Sequence, residues 1–153
     1  MKRPGAIEML IELAQKASDE QTRILGNALR REANDQERLR LLSDYRGEYM
    51  AKYTRLCKEG ISAAGMLNFH HFLKKLDVAI AQQMRTLNFT QTLAGAARTA
   101  LGESERNRQS LVQLRNRRQA AAQSVETKRE QKQHDEFATR KSRQAPSLSG
   151  GME

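Results

Sequence analysis

Apolar residues recur along this chain at intervals of three and four. Positions 7, 10, 14, 17, 21, 24 and 28 read Ile, Leu, Ala, Ala, Gln, Ile and Ala. The register weakens through Arg30–Arg38 and resumes at Leu42, Tyr45, Tyr49 and Leu56. Positions 69, 73, 76, 80, 83, 87, 90, 94, 97 and 101 then read Phe, Leu, Leu, Ile, Gln, Leu, Thr, Ala, Ala and Leu. Such spacing is the heptad seam of a coiled coil, here with a few polar gaps. Leu111, Ala122 and Val125 keep the frame, but Arg108, Arg115 and Arg118 intrude. The far end of the second segment is therefore expected to pack poorly unless another protein covers it.

What interrupts the pattern divides the chain. Pro4 and Pro146 are the two prolines, so positions 5 to 145 contain none and permit very long helices. Val occurs only at 78, 112 and 125, and no alternating β-branched run suggests a strand. The clearest break is Lys58-Glu59-Gly60-Ile61-Ser62-Ala63-Ala64-Gly65. Gly60 suits the left-handed residue that ends a helix, and Ser62 or Asn68 can cap the next one. The spacing predicts one helix over about 5–58, a turn over about 59–65 and a second helix over about 66–138. At ~1.5 Å rise per residue these would be about 80 and 110 Å long. The fold class is all-α: an antiparallel two-helix coiled-coil hairpin over 1–138, followed by a disordered C-terminal tail over 139–153.

Composition agrees with this pattern. The 153 residues are 38% hydrophobic, 29% charged and only 5% aromatic. Helix-forming Ala, Leu, Arg, Gln, Glu and Lys dominate, the bias of long helices over thick cores. Gly26, Gly47, Gly95 and Gly102 fall inside the helices and each costs about 1 kcal/mol relative to Ala, so modest stability is expected. The net charge is +9. Residues 1–60 carry 12 basic and 10 acidic side chains, and residues 61–153 carry 15 and 8, so the surplus lies mostly in the second segment. A basic balance suits an acidic partner, whether nucleic acid, anionic membrane or acidic protein.

The chain offers no recognisable catalytic constellation. No glycine-rich phosphate loop is present. His70 and His71 point about 100° apart on a helix and cannot easily share a metal. Cys57 has no base near it in sequence, and as the single cysteine it excludes an intrachain disulfide. The sequence predicts no enzyme activity, cofactor or metal. No apolar run approaches the ~18 residues of a membrane span. Glu8 and Glu12 interrupt the segment that follows the basic N-terminus. A cytoplasmic protein without a cleaved signal is the expectation.

The seven aromatic residues are unevenly placed: Tyr45, Tyr49, Tyr53, Phe69 and Phe72 flank the turn. In an antiparallel pair, residues at one level have numbers of constant sum. Leu42 with Ala79, Tyr45 with Leu76 and Tyr49 with Phe72 would share such levels. Two readings stand side by side. These residues either zip the seam or, because Phe72 and Ala79 fall one position off it, leave part of an apolar stripe open for docking.

The chain also resembles the FliJ family of flagellar export proteins. The resemblance rests on Ile7–Leu13, Arg23-Ile24-Leu25-Gly26, Leu42-Ser43-Asp44-Tyr45-Arg46-Gly47-Glu48-Tyr49, Gly60-Ile61, Asn68-Phe69-His70-His71-Phe72, Leu76, Ala79-Ile80 and Gln131–Ala138. It implies a stalk-like component of the flagellar type III export apparatus at the cytoplasmic face of the basal body. It implies partners as well: the hexameric export ATPase, the cytoplasmic linker of the transmembrane export gate, and export chaperones. By that resemblance Leu42, Tyr45, Tyr49, Phe72, Leu76 and Ala79 would form the gate-binding patch. Arg38, in place of a Gln, and Gln83, in place of a His, depart from the family pattern at its edge. Arg115, Arg117, Arg118, Lys128 and Arg129 are candidates to face an acidic ring surface, although a solvated helix face is the plainer reading of such charges. Rival readings are a basic nucleic-acid-binding coiled coil, the stalk of a virulence-type secretion system, and a plain oligomerising coiled coil. No recognised nucleic-acid module is present, and acids interleave the bases of the first segment.

Overall fold

The computed structural model describes residues 3–145 and contains two α-helices, α1 (Ala6–Glu59) and α2 (Ala63–Gln144). Local chemistry sets their ends. Met9 N–H donates to the Gly5 carbonyl at 3.2 Å, and Glu8 sits favourably in the positive first turn. α1 stops at Gly60, whose φ of 102° lies where residues with a Cβ are strained. Ser62 is the cap that the chain uses: its Oγ accepts from Gly65 N–H at 3.0 Å. Helix α2 accordingly starts at Ala63, three residues before the expected boundary. It also continues through 139–144, where composition predicts a tail, because nothing breaks it before Pro146. The rest of that tail, 146–153, lies outside the described residues.

The chain folds as two units. In the unit Glu12–Arg108, α1 and α2 pair antiparallel about the turn. The seam on α2 is the expected one: 69, 73, 76, 80, 83, 87, 90, 94, 97 and 101 are all buried or half-buried. On α1 it runs through 14, 18, 21, 25, 28, 32, 35, 39, 42, 46, 49, 53 and 56 without a break. That corrects the sequence frame at alternate positions. Ala17, Ile24 and Tyr45 are exposed, and Ser18, Leu25 and Arg46 turn inward instead.

The half of this seam farther from the turn is rich in small residues. Ala14, Ala94 and Ala97 are buried, as are Ser18 and Thr90. Small side chains let two helices approach closely and leave little room for side-chain adjustment. Three polar groups are built in. The Thr90 hydroxyl donates to the Leu87 carbonyl at 3.0 Å. Gln83 Nε2 donates to the Asp35 carbonyl at 3.0 Å, while Asp35 Oδ2 is buried without a partner. Ser18 Oγ donates across the seam to Glu105, which also accepts from Arg108 at 2.9 Å.

These bonds to Glu105, from Arg108 first and then Ser18, hold its carboxyl below the ordinary carboxylate range. A carboxyl lowered in the folded state contributes stability above its unfolded pKa and loses that contribution as pH falls through the folded value. The expected result is a thermal midpoint that drops on acidification below about pH 4.5, with a shallower drop in Glu105→Gln. Equal slopes for the two proteins in thermal melts across pH 3 to 6 would rule this link out.

The second unit holds the N-terminal turns of α1 up to Ile11 and α2 from Gln109 onward. Ile7, Glu8 and Ile11 are half-buried in it, as are Leu111, Val112 and Arg115. From 116 to 145 every residue is exposed. No helix among the described residues is long and apolar enough to cross a membrane.

Candidate functional site

The turn brings five aromatic rings into one cluster with Tyr49 at its hub. Its ring centroid lies 4.5 Å from that of Phe69 and 4.6 Å from that of Phe72. Tyr45 meets the Phe72 ring edge-on at 6.1 Å, and Tyr53 lies 4.9 Å from Phe69. Offset and edge-on pairs of this kind add about 0.5–1.5 kcal/mol each beyond their area. The rings thus lock the tip while leaving their outer edges in solvent.

The six tip residues divide between the two readings. Leu76 is buried at 7% exposure and belongs to the seam. Leu42, Tyr49, Phe72 and Ala79 are half-buried. Tyr45 is 48% exposed. It borders an open groove with Arg38, Leu41, Leu42 and Gln83. Leu41, 54% exposed, is an apolar wall of that groove that sequence reasoning missed. The Leu41-Leu42 doublet was the available signal, since two adjacent leucines on a helix point about 100° apart and one seam takes only one of them.

The opposite edge of the cluster has a smaller apolar depression lined by Tyr49, Met50, Tyr53, Phe69, His70 and Leu73. Tyr53 Oη stands 3.5 Å from His70 Nε2. A hydrogen bond with Cys57 raises the Tyr53 phenol above its ordinary value. Among the described residues no group of three His, Cys, Asp or Glu side chains is placed to hold a metal.

The basic candidates lie in the other unit. Arg115 is half-buried, with its Nε enclosed and unpartnered. Arg117, Arg118, Lys128 and Arg129 are exposed, and no acidic side chain among the described residues pairs with them. Phe137, on the same stretch of α2, is 67% exposed beside Glu130, Gln133 and His134.

Residues 2–147 match the family model described as flagellar FliJ protein. The flagellar FliJ protein of Salmonella typhi is 32% identical over 146 residues, covering 95% of this chain and 99% of the relative. That of Escherichia coli strain K12 is 30% identical over the same length and coverage.

Proposed function

The chain belongs to the FliJ family of flagellar proteins, and on that premise we propose that it is a non-catalytic, stalk-like component of the flagellar type III export apparatus. In this reading it links the hexameric export ATPase to the transmembrane export gate at the cytoplasmic face of the basal body, and engages export chaperones.

The observation that carries the reading is that the chain's two units carry dissimilar surfaces. The tip offers a rigid aromatic cluster with an open apolar edge, at Leu42, Tyr45, Phe72 and Ala79. Aromatic anchors held in place before binding lose little entropy on docking, so they suit a protein partner such as the gate linker. Tyr49 and Leu76 act from behind, holding the exposed edge in position. The exposed stretch of α2 offers Arg117, Arg118, Lys128 and Arg129 instead. Unpaired cations suit an acidic surface such as the bore of an ATPase ring, where complementary charge speeds encounter.

The test is a pull-down of full-length protein with the export ATPase and with the gate cytoplasmic domain of the same organism. Tyr45→Ala/Phe72→Ala is the informative variant, because Leu76→Ala would remove a seam residue and confuse folding with binding. Wild type is expected to capture both partners. The variant, with unchanged helical circular dichroism, is expected to keep the ATPase and lose the gate by at least about tenfold. Wild type that captures neither partner, but binds random duplex DNA with a steep salt dependence, would replace this reading with nucleic-acid binding.

A further inference from the structure

A two-helix seam has two flanks, and here they differ. One carries Tyr45 against Phe72 and, farther from the turn, Arg31 over the Phe89 ring at 5.8 Å. The other carries the Arg46–Asp77 ion pair at 2.6 Å and the Tyr53–His70 contact. Most of the exposed large apolar side chains of the unit Glu12–Arg108 fall on the first flank. Past the arginines, α1 places Ile24 there, one residue before the seam position Leu25, and about three turns farther on Leu13, one residue before Ala14. On α2 Leu93 occupies the equivalent place before Ala94, with Phe89 one turn away. All four are exposed, Leu13 and Phe89 by more than half.

We propose that the flank formed by Ile24, Phe89 and Leu93 is a docking face, separate from the tip, for an acidic amphipathic helix of a partner protein. Three observations favour that occupant. First, the exposed positions repeat at seven: Ala17, Ile24, Arg31, Arg38 and Tyr45 succeed one another on α1. A heptad row beside an existing two-helix groove matches the knob spacing of a third helix.

Second, the face has cations that this chain leaves without carboxylates. Arg31 has the Phe89 ring as its partner. Arg38 pairs with no acidic side chain among the described residues. Of the acids nearby, Glu20 is engaged by Arg23 and both Glu37 and Asp44 by Arg40, while Glu32 and Asp35 turn into the seam and form no ion pair with Arg31 or Arg38. A docked helix with carboxylates next to its apolar row would supply the missing charge.

Third, a second copy is a poor occupant. It would set the same unpaired arginines against each other, and each chain carries +9. The inference does not depend on the export reading, since Ile24, Arg31, Phe89 and Leu93 lie on the stretch of this flank farther from the turn than the gate patch.

The probe is a fluorescein-labelled synthetic helix with Leu at the two core positions of each heptad and Glu beside them. A counterpart carries Lys for Glu. Titrated into the full-length protein at moderate salt, the acidic peptide is expected to bind at least about tenfold more tightly than the basic one. Ile24→Ser/Leu93→Ser and, separately, Arg31→Gln are each expected to weaken the acidic peptide by about tenfold. Lys132→Gln/Arg140→Gln, which removes charge elsewhere, is expected to leave it unchanged. Arg31→Gln keeps the proposal testable should the double serine variant fail to fold. Equal binding by all variants overturns the proposal. So does an equal loss in Lys132→Gln/Arg140→Gln, which would mean attraction by net charge alone. Sedimentation of the wild type as a dimer that Leu93→Ser dissociates would assign the face to a second copy and overturn it too.

Discussion

Ala94→Leu is expected to lower the stability of the hairpin by about 1–3 kcal/mol, the usual cost of forcing extra methylenes into a packed site. Ala94 has no exposed surface and stands in a seam of small residues with Ala97 and Thr90. At the same level on α1 the seam offers Leu25 and Ala28. A leucine there has to push the helices apart or leave its rotamer. The loss is large for a two-helix fold, because domain stabilities total only about 5–15 kcal/mol. Circular dichroism melts should show near-native helicity at low temperature and a midpoint lowered by several degrees. Ala122→Leu, on the exposed part of α2, is the control and should leave the midpoint unchanged. An unchanged midpoint in Ala94→Leu would mean that the seam is loose.

On the proposed reading, in which the exposed stretch of α2 meets the export ATPase, replacing Arg117, Arg118, Lys128 and Arg129 together by Gln should abolish most of that association, by about 100-fold in affinity at low salt, while leaving the melt intact. The four side chains are exposed and pair with no acidic side chain among the described residues, so their removal takes nothing from the fold. At an acidic interface each is worth about 0.5–1 kcal/mol, and tenfold in affinity corresponds to ~1.4 kcal/mol. Wild-type affinity should fall with added salt, and the quadruple variant should respond less. Binding that survives the substitutions would move the contact elsewhere, for instance to Phe137 with His134 and Gln133.

The two helices were not equally legible in the sequence. On α2 one apolar stripe dominates, so every position of the frame from Phe69 to Leu101 is buried or half-buried, although Phe72, Ala79 and Thr86 beside it are half-buried as well. α1 carries two neighbouring stripes. Leu10, Ala17 and Ile24 recur at seven as faithfully as Ile11, Ser18 and Leu25, and the former look more apolar. Only the partner helix chooses between them, and it chooses the set containing Ser18, whose hydroxyl meets Glu105. The same ambiguity hid the continuous seam through Glu32, Asp35 and Leu39, because acids at inward positions read as a break. At the tip, spacing placed Tyr49 beside Phe72 but did not say that Leu76 is buried and Tyr45 open. A residue at the margin of a seam is assigned by the width of the groove, which no periodicity encodes.

The tight turn at Gly60 also orders the assembly of the hairpin in time. Tyr53 and Phe69 are sixteen residues apart in sequence, whereas Ser18 and Glu105 are 87 apart. Closing the longer loop first would cost about 1.5 kcal/mol more in chain entropy. Pairing is therefore expected to nucleate among the rings beside the turn and to zip outward, each new rung closing a short loop on the last. Opening runs the other way. The aromatic cluster is then expected to form first and come apart last, so a substitution such as Phe69→Ala should slow refolding in stopped-flow measurements as well as alter the surface that the tip presents.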